Sequence, residues 1–203
     1  MRQRCRTAAA FVLLMAMALA GTGPIARADC AAIDPLSLLP PDGACDWARE
    51  GAPQSAYTIE ELAQIIDGAA FLFEQHGFVA AVFENYAGEI GGEPAAVTVS
   101  IFNQGTAANA EALYNDPNSG SGDPFPGWIG SGAARYRTAF GFFTCEFREA
   151  CFYGSLVFTA GGDAALPEAL CLGQTIVAAI SQATPAPTLQ WSDVKAAFRE
   201  PGR

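Results

Sequence analysis

Basic residues are scarce: Lys+Arg number 11 against 21 Asp+Glu, for a formal charge of −10. A chain this acidic is repelled by phosphate backbones and anionic lipid surfaces, which excludes nucleic-acid binding. Histidine is scarcer still, with His76 alone, and no C-x-x-C occurs, so no metal site is expected. Neither a G-x-S-x-G elbow nor a glycine-rich loop ending in Gly-Lys-Ser or Gly-Lys-Thr is present, and no cofactor is implied. The apolar run from Ala8 to Ala20 is shorter than the roughly 20 residues that cross a hydrocarbon core. No transmembrane anchor is therefore expected in the mature chain.

Charged residues make up 16% of the 203 positions, whereas 51% are hydrophobic. Such a chain is too apolar to be disordered and is sized for one compact domain. Its start reads as an export signal: Arg2, Arg4 and Arg6, then the run to Ala20, then the small-x-small triplet Ala26-Arg27-Ala28. Cleavage near Ala28 removes four arginines and no acid, so the mature chain is more acidic than the precursor. Lipid attachment at Cys30 is disfavoured because Asp29 stands where a lipobox has a small residue. Secretion or periplasmic location follows.

Export changes how the cysteines read, since disulfides persist in oxidising compartments. Five remain after the leader: Cys30, Cys45, Cys145, Cys151 and Cys171. Short spacings favour local closure, which pairs Cys30 with Cys45 around Pro35, Pro40 and Pro41, and Cys145 with Cys151 around a turn at Arg148-Glu149. Cys171, on an apolar helix face, is then left buried and unpaired.

Within the mature chain, Thr58 and Glu61 form a capping box. Leu62, Ile65, Ile66, Ala69, Ala70 and Phe73 recur at helical spacing up to Gly77. His76 in the last turn suits the negative end of that helix. Gly68 in its interior and Phe71 off its apolar stripe imply a second layer packed there; an acidic cleft made by Asp67 and Glu74 is the less favoured reading. Strands are expected over 78–86 and 95–102, joined by the turn at Gly91 and Gly92, then over 135–147 and 150–159. Thr106 caps a short helix, and a helix over 166–180 closes the fold. The order predicts an α+β domain: an antiparallel sheet of about four to five strands with two longer helices and one short helix packed on it. The chain divides into a signal peptide over 1–28, a disulfide-closed segment over 29–57, the α+β domain over 58–182, and a Pro-containing linker with a short helix, begun by Ser192 or Asp193, over 183–203.

The segment between Tyr114 and Arg135 is too long for a routine connection. Asp116, Asn118 and Asp123 hint at a calcium loop, but Ser121 and Gly127 replace its required glycine and terminal glutamate. Phe125 and Trp128, set on Pro124 and Pro126, are two stiff aromatics that either tuck onto the sheet or, with Asp123, form a ligand or partner surface.

The run Ile66-Asp67-Gly68-Ala69-Ala70, then His76-Gly77-Phe78, then Tyr86 and the strand Val97 to Phe102 leading into Ala107, Ala110 and Tyr114, resembles a family of exported bacterial proteins of unknown function. There an I-N-G-A-A helix motif precedes a Y-G-F step and a β-hairpin. Asp67 and His76 depart from that pattern. The resemblance implies export and an α+β fold, and it brings no catalytic residue. The expected function is therefore a non-catalytic cell-envelope domain that binds a protein partner or small ligand. The alternative is a hydrolase working through paired carboxylates, for which 21 acids offer material but no visible pair.

Overall fold

The computed structural model describes residues 30–160 and 162–184. The leader expected over 1–28 and the terminal helix expected from Ser192 or Asp193 lie outside the described residues. Among the described residues are β1 (Ala48–Arg49), β2 (Gln54–Ala56), α1 (Ile59–Ile66), α2 (Ala70–Gln75), β3 (Ala80–Ile90), β4 (Glu93–Asn103), α3 (Ala107–Asn115), β5 (Asp123–Pro124), β6 (Ala133–Ala139), β7 (Phe142–Glu149), β8 (Phe152–Phe158) and α4 (Leu166–Ala183). All eight strands join one sheet in the order β1-β3-β4-β8-β7-β6-β5, with β2 also on β3, and every pairing is antiparallel.

The α+β class with an antiparallel sheet stands, but the sheet is larger than expected. Three of its strands, β1, β2 and β5, are only two or three residues long, too short for alternation to register. The stretch 135–147, read as one strand, is the hairpin β6–β7. Its two-residue turn is Phe140-Gly141, with φ of 54° and 86°. Turns of this kind usually announce themselves as Asn-Gly, and Phe-Gly inside an aromatic run does not.

Each sheet face has its own apolar cluster. On one face Val82, Tyr86, Val97, Val99, Ile101, Phe143, Phe147 and Leu156 pack with the segment 30–47 and with Leu172, Ile176 and Ile180 of α4. On the other, Ala81, Phe102 and Tyr153 pack with Leu62, Ala70 and Phe73 of α1 and α2 and with Leu113 of α3. Phe73 stacks on Phe102 with ring centres 4.0 Å apart. Strand alternation assigns the remaining positions, since successive residues point to opposite faces.

The capping box on α1 is present: Thr58 Oγ1 accepts from Glu61 N at 3.2 Å and Glu61 Oε2 accepts from Thr58 N at 3.2 Å. The helix it starts does not run through to Gly77. It stops at Ile66, where Asp67 takes φ 56° and ψ −144°, and a short 3-10 turn over Asp67–Ala69 leads into α2. The second layer expected at Gly68 and Phe71 is absent among the described residues. A Cβ on Gly68 would meet open space, and Phe71 is 63% exposed. The glycine serves the break rather than a close approach. Asp67 and Glu74 are both exposed.

The cysteine pairing is the largest correction. Cys30 bonds Cys151 and Cys45 bonds Cys171, while Cys145, not Cys171, is the free thiol and is buried. Local closure failed as a guide because segment 30–47 lies across the sheet, which carries Cys30 to the β7–β8 turn and Cys45 to α4. Cys145 points into the core from the middle of β7, away from the hairpin end where Cys151 sits. Burial pushes its thiol pKa well above the usual range, and the neighbouring Glu146 carboxylate adds to the shift.

Candidate functional site

The loop between α3 and β6 is held by a buried ion network. Glu146, 4% exposed, stands on β7 directly opposite Arg135 of β6. Its Oε2 accepts from Arg135 Nε at 2.7 Å and its Oε1 from Arg137 Nη1 at 2.9 Å. Arg135 also donates to Tyr114 O and Ser119 Oγ, and its guanidinium lies 4.4 Å from the Tyr114 ring centre. Gly120 closes over the carboxylate with φ 139°; a side chain there would collide with both Glu146 oxygens. These contacts fasten the loop to the sheet.

Further along the loop the aromatics fold inward. Phe125 is 6% exposed and packs edge-on against Tyr136 and Trp128. Trp128 is half-buried, with its ring centre 5.2 Å from that of Phe147, and it rests on Gly173 of α4, where any Cβ would strike the indole. These two residues belong to the core and do not form the exposed aromatic surface that the proline spacing allowed. Asp123 is exposed on β5 and pairs through its backbone with Tyr136. Nearby, Glu149 is buried and accepts from Ser131 Oγ and from Gly132 N. His76, at the C-terminal end of α2, pairs with Asp116 at 3.0 Å, tying the end of α2 to the end of α3.

The feature with the geometry of a binding site lies at the other end of the same face. A cleft of about 340 Å³ opens there between α1 and the sheet. Its floor is built by β3–β4 register, which sets Phe83 opposite Ser100 and Asn85 opposite Thr98. Ile65 and Ile66, the last turn of α1 before the Asp67 break, form one wall; Ala52 and Gln54 form another. Thr98 Oγ1 donates to Asn85 Oδ1 at 2.8 Å, which turns the Asn85 amide so that its NH₂ is left to donate. Ser100 is 9% exposed and lines the cleft. Glu84 also borders the cleft, but alternation sends its side chain to the opposite face with Val82 and Tyr86, where it is 3% exposed.

A second, wider cleft of about 570 Å³ lies beside the Cys45–Cys171 bond. Asp46, Glu89 and Glu168 line it, and Glu168 Oε2 accepts from Trp47 Nε1 at 3.2 Å.

None of the cleft residues Gln54, Asn85, Thr98 and Ser100 was singled out from the sequence. The available signal was the alternation Thr98, Ser100 on β4, which marked a polar face without showing that α1 ends beside it. Of the residues named in advance, Ile65 and Ile66 of the apolar helix stripe border the site, the latter opening the Ile66-Asp67-Gly68 motif and its helix break. The chain matches no family model, no curated protein and no solved structure.

Proposed function

We propose that the protein is an exported, non-catalytic binding domain of the cell envelope that holds a small ligand in the cleft between α1 and the β3–β4 floor. The observation that carries this reading is the cleft itself, a concave site of about 340 Å³ that sets the polar side chains Gln54, Asn85, Thr98 and Ser100 among the apolar groups Phe83, Ile65 and Ile66. Small-ligand sites are concave and place a few polar groups among apolar walls, a combination that supports a ligand here. Export is supported by the two disulfides, which are consistent with an oxidising, extracytoplasmic location. Cleavage near Ala28 is part of the same proposal. So is kinship with the exported family that the I-D-G-A-A motif resembles. That motif coincides with the helix break bounding the cleft.

An NMR screen of small fragments tests the site. Shifts concentrated on Gln54, Ile65, Ile66, Asn85 and Thr98, and abolished when Ser100→Phe fills the cleft, are expected. Shifts confined to other surfaces would overturn the reading. The carboxylates lining the second cleft are the one observation that favours the alternative, a carboxylate-dependent hydrolase. Loss of a detectable hydrolytic activity in Glu89→Gln would establish it.

A further inference from the structure

We propose that the ligand of this cleft is a neutral, hydroxyl-rich ring such as a saccharide unit, an inference that rests on the binding reading above. Each other class of small ligand fails on a specific feature. An anion finds no basic group in the cleft and approaches a chain of charge −10. A cation finds no carboxylate, because Glu84 turns to the opposite face and the lining is otherwise uncharged. A purely apolar ligand would seal Ser100 Oγ and the Asn85 NH₂ away from water, which penalises binding.

What remains is a ligand that offers donors and acceptors on its rim and C–H surface on its faces. The floor presents the exposed side-chain amides of Asn85 and Gln54 and the hydroxyl of Ser100, while Phe83, Ile65 and Ile66 supply apolar walls. The polar floor also continues beyond the cleft. Ser155 on β8 lies directly opposite Ser100 on β4 and is half-buried. Strands are about 4.8 Å apart, so a second ring linked to the first reaches that hydroxyl. The row ends at Glu146, opposite Ser155 on β7, where Gly120 and the arginines close over the face. One or two rings fit this geometry; a long polymer lying across all the strands does not.

The test uses ring analogues that differ in charge and hydroxyl content. Cellobiose, glucuronate, glucosamine and cyclohexylmethanol are titrated separately into the isotope-labelled protein, with the side-chain amide signals of Asn85 and Gln54 as readout. Saturable shifts with cellobiose, at least about tenfold weaker with the two charged sugars and absent with cyclohexylmethanol, are expected. Asn85→Leu should weaken cellobiose binding about tenfold, the usual worth of a lost hydrogen bond to a ligand, while its circular dichroism stays that of the parent. If a charged or apolar analogue shifts the cleft amides and cellobiose does not, the ligand class is overturned and the binding site survives. If none of the four shifts them and the fragment screen is equally silent there, the site itself falls.

Discussion

Phe140 is fully exposed at the tip of the β6–β7 hairpin and holds φ 54°. A left-handed backbone at an ordinary L-residue costs about 1–2 kcal/mol, and Asn tolerates it best after Gly. No packing offsets that cost, because the ring touches solvent on every side. Phe140→Asn is therefore expected to raise stability by about 1 kcal/mol, read as a higher denaturant midpoint with an unchanged slope. The residue also shows where single positions were and were not legible. Thr58 and Glu61 announced their helix start because a cap is a local interaction between residues three apart. Ser100 announced nothing, because its meaning depends on Ile65 and Ile66 being brought above it from a distant part of the chain.

On the α1–α2–α3 side an ion pair ties the end of α2 to the end of α3. Asp116 Oδ2 meets His76 Nε2, while Asp116 Oδ1 accepts from Asn118 N. The Asn118 backbone N–H, and after it the hydrogen bond to His76, hold the Asp116 carboxyl below its ordinary value of 3.8. A carboxylate with a depressed pKa in the folded state contributes its stabilisation above its ordinary pKa and loses it as pH falls through the folded value. Below about pH 4 the link between the ends of α2 and α3 should loosen, seen as faster hydrogen exchange at Gly77 and Asn118. Asp116→Asn should remove most of that acid dependence. The same elements mark the limit of periodicity as a guide. Apolar spacing ran unbroken from Leu62 to Phe73 because both helices face one cluster, and the break between them has no counterpart in that spacing.

Across the whole molecule, two long-range bonds close loops with sequence separations of 121 and 126 residues. In the chain-entropy model a loop of that length contributes about 5 kcal/mol. The loops overlap, so the second adds less than the first. Peptide mapping of the oxidised protein should recover Cys30 with Cys151 and Cys45 with Cys171. Cys145 should resist alkylation until denaturant is added; a peptide joining Cys145 to Cys151 would refute this pairing. Class and strand polarity were legible because β3, β4 and β8 alternate or run apolar over long stretches. The cysteine partners were not, since they depend on how segment 30–47 is laid across a sheet made almost entirely of later residues.

That layout has a consequence for the order in which the disulfides form. From Cys30 onward the cysteines follow one another along the chain at 30, 45, 145, 151 and 171. An oxidase that joined them as they appeared would link Cys30 to Cys45, the wrong bond, long before Cys151 or Cys171 was available. Cys30 finds its native partner only after β7 has arrived, and Cys45 only once α4 has begun. Oxidation of this chain must therefore either follow the folding of the sheet or be corrected by thiol–disulfide exchange, with Cys145 withdrawn from that exchange once β7 has packed.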